Sequence, residues 1–181
     1  MKYILAFLCC AAAAQIDDPR LPRPDQVDKP ENIKFIVPDK SKLAGTVVDN
    51  TEAKLVGEWK HSVHTPPFVG VSYIHDMKEK KGQKSATFTP DLPRTGLYEV
   101  RVSHNSNIRR ANGVPVTVHH SKGKTVVKIN EGEPAPIAKL FRSIGLFHFK
   151  KGREGSVTIS TEGTEGKYVI VDSVQFLIVM P

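Results

Sequence analysis

From Thr46 onward the chain alternates apolar and polar residues in short runs, and the repeat is two. Val114, Val116 and Val118 alternate with Pro115, Thr117 and His119. One face of that segment is therefore β-branched and apolar, which predicts a strand with one buried side. Ser121-Lys122-Gly123-Lys124 reads as a turn, and Thr125 to Asn130 as the returning arm of a hairpin. Tyr98, Val100 and Val102 alternate in the same way with Glu99, Arg101 and Ser103, as do Val157 and Ile159 with Thr158 and Ser160. Strands are expected near 46–49, 55–61, 69–75, 84–89, 96–104, 113–120, 124–130, 142–149, 155–161 and 167–178. No segment sustains a helical period. Many short strands punctuated by Gly and Pro predict an all-β, two-sheet sandwich. The last run, Val169-Ile170-Val171 then Val174 and Phe176 to Val179, is apolar on both faces. It is expected to be a central strand or to be covered by a partner. Asp172 interrupts it and must be hydrogen-bonded, ion-paired or metal-bound if buried.

The N-terminus follows different rules. Lys2 precedes Ile4-Leu5-Ala6-Phe7-Leu8-Cys9-Cys10 and four alanines. A basic start, an apolar run and a small-residue zone read as a secretory signal over 1–14, cleaved near Ala14. It is too short for a membrane span, which needs about 20 apolar residues. Both cysteines lie in this segment, so the mature chain has no disulfide and no thiol chemistry. A lipid anchor on one of them is the minor alternative, because Leu8 or Cys9 would then stand where a small residue is preferred. Residues 15–44 carry Pro19, Pro22, Pro24, Pro30 and Pro38 between charges, which predicts an extended, semi-stiff arm. Ile33 to Val37 is a candidate docking strand within it. The folded domain is expected over 45–181.

Composition narrows the partners. The chain has 181 residues, enough for one domain with a substantial core, and a formal net charge of +7. Without Lys2, 25 basic side chains face 19 acidic ones, from 26 and 19 in the whole chain. Basic residues cluster at Lys78 to Lys81, at Arg109-Arg110 and at Lys150 to Arg153. Such clusters favour anionic partners, although each alone reads as a solvated turn. The export signal and the lack of a recognisable nucleic-acid module argue against nucleic acid.

Catalytic motifs are missing. There is no Gly-x-Ser-x-Gly elbow, no His-Glu-x-x-His and no Cys-x-x-Cys. Gly123-Lys124-Thr125 ends like a P-loop, but its upstream glycine would fall at Val118, inside a strand. Seven histidines occur, at 61, 64, 75, 104, 119, 120 and 148. His61 and His64 would not share a face of a regular strand, and His119 and His120 point opposite ways. Zinc needs ligands converging on one tetrahedral shell, and no spacing here supplies them.

Several phrases carry a resemblance in a consistent order. They are Val48-Asp49-Asn50-Thr51-Glu52-Ala53, Gly57-Glu58-Trp59, Gly70-Val71-Ser72-Tyr73-Ile74-His75-Asp76 and Ala86 to Pro93 with Gly96-Leu97-Tyr98. Arg110-Ala111-Asn112-Gly113-Val114-Pro115-Val116-Thr117-Val118-His119-His120, Gly155 to Ser160 and Val169 to Phe176 follow. From Thr46 to Leu177 the chain resembles the golvesin / xanthan-lyase type carbohydrate-binding-like domain. The resemblance implies a jelly-roll-like sandwich and a binding module that is not an enzyme. In relatives such a domain accompanies a polysaccharide lyase, an amidase or a flavin-dependent oxidoreductase. No such unit is seen in this chain, so those activities are not expected of it. Arg109 stands where the family usually has Asn.

The expected ligand is a carbohydrate, either a polysaccharide or a cell-surface glycan, with the basic residues tuning the site toward acidic ones. Sugar rings stack on aromatics, and their hydroxyls suit Arg, Asn and His. Trp59, His61, Phe68, Tyr73, His75, Arg109, Arg110 and Asn112 are the candidate binding residues, with Trp59 and His61 expected on one face. The alternatives for Trp59 and Tyr73 are core positions, and for Arg110 an ion pair that pins the loop. No cofactor is expected, apart from a structural calcium of the kind jelly-roll sugar binders hold. Asp49, Glu52 and Asp172 are its candidate ligands, since calcium takes six to eight oxygens. The alternative function is a docking or accessory module for an extracellular enzyme or surface protein. A small hydrolase built on scattered histidines ranks behind both.

Overall fold

Residues 38–180 are described by a computed structural model, and the signal, most of the arm and the Ile33 to Val37 strand lie outside them. Twelve strands make up the domain: β1 (Thr46–Asp49), β2 (Lys54–Val56), β3 (Lys60–Ser62), β4 (Tyr73–His75), β5 (Ser85–Phe88), β6 (Gly96–Ser103), β7 (Val114–His120), β8 (Gly123–Ile129), β9 (Phe141–Phe149), β10 (Ser156–Ser160), β11 (Ile170–Val171) and β12 (Ser173–Ile178). They form a four-stranded sheet in the order β1-β12-β6-β9 and a five-stranded sheet in the order β2-β5-β10-β7-β8. A third, three-stranded sheet, β11-β4-β3, is additional to the two expected. Every strand pairing is antiparallel. Among the described residues, helix is limited to single 3-10 turns at Lys40–Lys42 and Asn50–Glu52. No helix there is long and apolar enough to cross a membrane.

The two larger sheets face each other across one core. Tyr98, Val100 and Val102 of β6 meet Val114, Val116 and Val118 of β7, Val157 and Ile159 of β10, and Val174 and Phe176 of β12. Each of these side chains is at most 1% exposed, and each such burial is worth roughly 1.5–3 kcal/mol. The period-two pattern therefore places the core correctly in all three strands where it is cleanest. Phe149 stacks edge-on against both Tyr98 and Phe176, with ring centroids 6.0 and 5.6 Å apart. Strand β12 is central, as its two apolar faces require, between β1 and β6.

Three expected strands are interrupted. The 55–61 run is broken at Gly57, whose φ of +76° suits glycine. A Cβ there would also lie 2.8 Å from the Lys84 side chain. β2 consequently joins the five-stranded sheet and β3 the small one. Of 69–75 only Tyr73–His75 is extended and paired. The 167–178 run divides at Asp172 into β11 and β12, which belong to different sheets. Asp172 is fully buried and accepts from the Val69 N–H at 3.0 Å and from the Ser103 hydroxyl. The end of the expected arm packs on the domain. Pro38 accepts a backbone bond from Gly70, Leu43 packs beside Val47 and Phe141, and the Ala44 carbonyl accepts from Gln175.

Candidate functional site

β4 alternates, so Ile74 enters the main core while Tyr73 and His75 share the opposite face. Opposite them in β3 stand Ser62 and Lys60, paired with Tyr73 and His75 respectively. Phe68, Tyr73 and Ile170, with Tyr168 beside them, form a small apolar cluster under this face. Above it opens a cleft of about 630 Å³. Its walls come from β3 and the residues after it, from the β6–β7 loop at Asn107 to Arg110, and from Tyr168.

Arg110 is fixed from several directions. Its backbone bridges in parallel to Tyr168, through Tyr168 N–H to the Arg109 carbonyl and Ala111 N–H to the Tyr168 carbonyl, both 2.9 Å. Its own N–H closes a turn onto the Asn107 carbonyl at 2.9 Å. The guanidinium lies 5.7 Å from the Tyr168 ring centre and 6.0 Å from that of Tyr73, within cation–π range. One Nη donates to the Asn105 side-chain oxygen at 2.9 Å, whereas Nε has no partner among the described residues. Among the described residues no carboxylate lies within ion-pair distance of it. The ion pair expected as its alternative role is therefore not what holds it. Arg110 is only 9% exposed and borders the cleft. A cation so placed favours an anion in the cleft.

The neighbouring groups are donors or neutral. Burial and the Arg110 charge push the His75 imidazole below its ordinary pKa. Its Nδ1 accepts the Met77 N–H at 3.2 Å, which leaves the ring proton on Nε2. The His75 ring stands edge-on to Tyr168 at 5.3 Å. The Ser62 hydroxyl donates to the Tyr73 phenol oxygen at 3.0 Å, and His61 shares a 2.9 Å hydrogen bond with Ser72. Lys60 and Arg109 add charge, and among the described residues no Asp or Glu lines the cleft. Ile108 adds an apolar side chain that is 85% exposed.

Beneath the cleft the loops are locked together. Asp76 is fully buried and pairs with Lys81 while accepting the Val169 N–H at 3.0 Å. The Lys81 ammonium also donates to the Thr164 hydroxyl and the Lys167 carbonyl, at 3.1 and 2.6 Å. The chain carrying Tyr168 is thereby tied to the β4–β5 loop. Glu131 is fully buried and accepts the Ile170 N–H at 2.8 Å, while its other oxygen has no partner among the described residues. Burial pushes its carboxyl up to about 8.

The structure sorts the expected binding residues into two groups. His61, Tyr73, His75, Arg109 and Arg110 line the cleft. Trp59 does not. It packs half-buried against the main core and donates its indole N–H to the Val56 carbonyl at 3.0 Å. The shared face expected of Trp59 and His61 fails because Trp59 lies outside β3. Phe68 is buried beneath Tyr73, 5.9 Å between rings, and Asn112 is exposed outside the cleft lining. His61 and His64 both reach the cleft despite their spacing, because β3 ends at Ser62. Lys60, Ser62, Thr65, Asn107, Ile108 and Tyr168 line it without having been anticipated.

The calcium candidates are engaged locally. Asp49 caps the Asn50–Glu52 turn, accepting from the Thr51 N–H and hydroxyl at 3.1 and 2.7 Å. Glu52 closes that capping box and pairs with Lys40, and Asp172 holds Val69 and Ser103. Of these carboxylates only the Asp49 Oδ2 is buried without a partner. Among the described residues no three His, Cys, Asp or Glu side chains are grouped to hold a metal ion.

Comparison with known proteins fits this architecture. A xanthan lyase from Bacillus sp. (strain GL1) is 35% identical over 147 residues, covering 78% of this chain and 16% of the relative. The chain thus spans about a sixth of that enzyme's length. The solved structure of a Paenibacillus xanthan lyase superposes with a TM-score of 0.70 at 33% identity, over 75% of this chain and 13% of the other. The CBM35 module of Paenibacillus barcinonensis shares the fold, with a TM-score of 0.54 at 16% identity, over 75% of this chain and all of that one. The profile of the Golvesin C-terminal domain matches residues 46–178, and this chain belongs to that family.

Proposed function

We propose that the protein is an exported, non-catalytic carbohydrate-binding module whose cleft takes an acidic sugar of a polysaccharide or cell-surface glycan. The observation that carries this reading is Arg110, a largely buried guanidinium with no carboxylate in ion-pair distance among the described residues, close to two tyrosine rings at an open cleft. A planar fork of donors matches a carboxylate in two parallel hydrogen bonds. The His75 Nε2–H, the Tyr73 hydroxyl and Lys60 surround it with further donors suited to ring hydroxyls. The Tyr168 ring and the exposed Ile108 offer apolar surface to the C–H face of a sugar. Export rests on the basic, apolar and alanine-rich pattern of residues 1–14.

Catalysis is not part of the proposal. The site is an open cleft, and the match to xanthan lyase takes in only 16% of that enzyme's length. A glycan array at moderate salt, read with and without calcium, tests the reading. Salt-resistant binding to a set of carboxylated glycans is expected. Binding to none of them would move the function to protein docking.

A further inference from the structure

The cleft lies where β6 ends and β7 begins, so the start of β6 and the end of β7 mark the other end of the sandwich. The turn after β7 and the turn after β9 meet there. The Ser121 N–H and hydroxyl both donate to the His148 carbonyl, at 2.8 and 2.9 Å, and His119 pairs with Ser156. A third turn, before β6, joins them through the Leu92–Gly152 bridge and a 3.0 Å bond from the Lys151 N–H to the Thr95 hydroxyl. Together these turns present Arg94, Lys122, Lys124, Lys150, Lys151 and Arg153, all exposed. The acidic side chains on them are Asp91 and Glu154, and Glu154 is paired with Lys150 at 2.9 Å. Glu52, which pairs with Lys40, also feels the Arg153 charge. The basic cluster at Lys150 to Arg153 and the turn at Ser121 to Lys124, separate in the sequence, therefore belong to one basic surface.

We infer that this end is a second contact for an acidic polysaccharide, separate from the cleft. Its chemistry selects a polymer. An exposed charge pair is worth about 1 kcal/mol or less, and exposed charges more than roughly 8 Å apart are screened at physiological salt. One sugar carboxylate would gain little here, whereas a chain bearing several carboxylates or sulfates meets several cations at once. The turns at 121–124 and 150–155 expose no aromatic side chain on which nucleic-acid bases could stack. They also expose no large apolar side chain to enter a membrane interface. The class of polymer rests on the acidic-sugar reading of the cleft, but the surface itself does not.

The test compares galacturonate and polygalacturonate as probes. One protein carries Lys122→Gln, Lys124→Gln, Lys150→Gln and Lys151→Gln together, and another carries Arg110→Ala. The quadruple variant is expected to bind the polymer about tenfold more weakly, with a flatter dependence on salt, because fewer counterions are released. It should bind the monosaccharide as before. Unchanged polymer affinity and salt dependence in a folded quadruple variant would overturn the inference. Arg110→Ala separates the two readings. If it leaves monosaccharide binding intact while the quadruple variant loses the polymer, the cleft proposal fails and the second contact stands.

Discussion

Arg110 and Tyr168 are joined by a parallel backbone bridge, and the same pair places a guanidinium 5.7 Å from a phenol ring centre. The two residues are 58 positions apart in a chain where most pairings are antiparallel. Two backbone hydrogen bonds thus set the most charged and the most aromatic parts of the cleft side by side, before any ligand arrives. Tyr168→Ala should leave the backbone bridge intact and remove the stacking surface. Affinity for an acidic oligosaccharide is expected to fall about tenfold, in line with 0.5–2 kcal/mol for such contacts. Calorimetric titration of the variant checks this, and unchanged affinity would remove Tyr168 from the site.

Trp59 makes a contrasting prediction. Its ring packs on the core and its N–H is satisfied by Val56. Trp59→Ala should therefore cost stability, about 2–4 kcal/mol for a partly buried aromatic. Glycan affinity of the folded fraction should be unchanged. Denaturant unfolding and a binding titration on the same sample separate the two effects. A loss of affinity at unchanged stability would restore Trp59 as a sugar platform.

The buried Asp76–Lys81 pair holds the β4–β5 loop to the segment before Tyr168. Removing one partner leaves the other charge uncompensated. Lys81→Met is expected to destabilise the fold by about 3–5 kcal/mol. Substituting both, Lys81→Met with Asp76→Asn, should recover part of that loss. A double variant no more stable than the single one would contradict the pairing account.

Stability should also depend on pH in a direction set by buried acids. Burial pushes Glu131 and Asp172 each up to about 8, from ordinary values of 4.5 and 3.8. An acid raised by folding stabilises the native state fully below its unfolded pKa, and that contribution is lost as pH rises through its folded pKa. Burial and the Arg142 charge push His104 down to about 4, so its contribution is present above 6.5 and lost as pH falls towards 4. Between pH 6.5 and 8, above the range in which the lowered His104 and His75 titrate, the two carboxyls decide the slope, and thermal stability should fall as pH rises. The charges of Arg110, Asp76 and Lys81 all act on Glu131, after its burial and its bond from the Ile170 N–H. Glu131→Gln removes one of the two titrations and should flatten the slope. An equally steep slope in that variant would show that Glu131 does not titrate in this range.

How much of this is visible in the sequence depends on how local the determinant is. The strands of the core follow from alternation at Tyr98–Val102, Val114–Val118 and Val157–Ile159, because burial of one face repeats every second residue. The breaks at Gly57 and Asp172 are less visible. One depends on a backbone conformation and a neighbouring Lys84, the other on a carboxylate whose partners, Val69 and Ser103, are far away in the chain. The cleft is the least legible part. Arg109-Arg110 stands out as a charge cluster, and Tyr73 and His75 as alternate positions of one strand. Tyr168 carries no local signal at all, since only the pairing of the segment after β10 with the β6–β7 loop brings it to Arg110. Phe68 is legible as an aromatic but not as the floor beneath Tyr73.

The central claim is that Arg110 receives a sugar carboxylate. The direct measurement is calorimetric titration of galacturonate and galactose into the protein and into Arg110→Lys, at physiological salt. Lysine keeps the charge but not the planar fork. The account predicts that galacturonate binds more tightly than galactose to the native protein, and that Arg110→Lys removes most of that difference without unfolding the domain. Equal affinity for the two sugars, or a preference that survives the substitution unchanged, would contradict it.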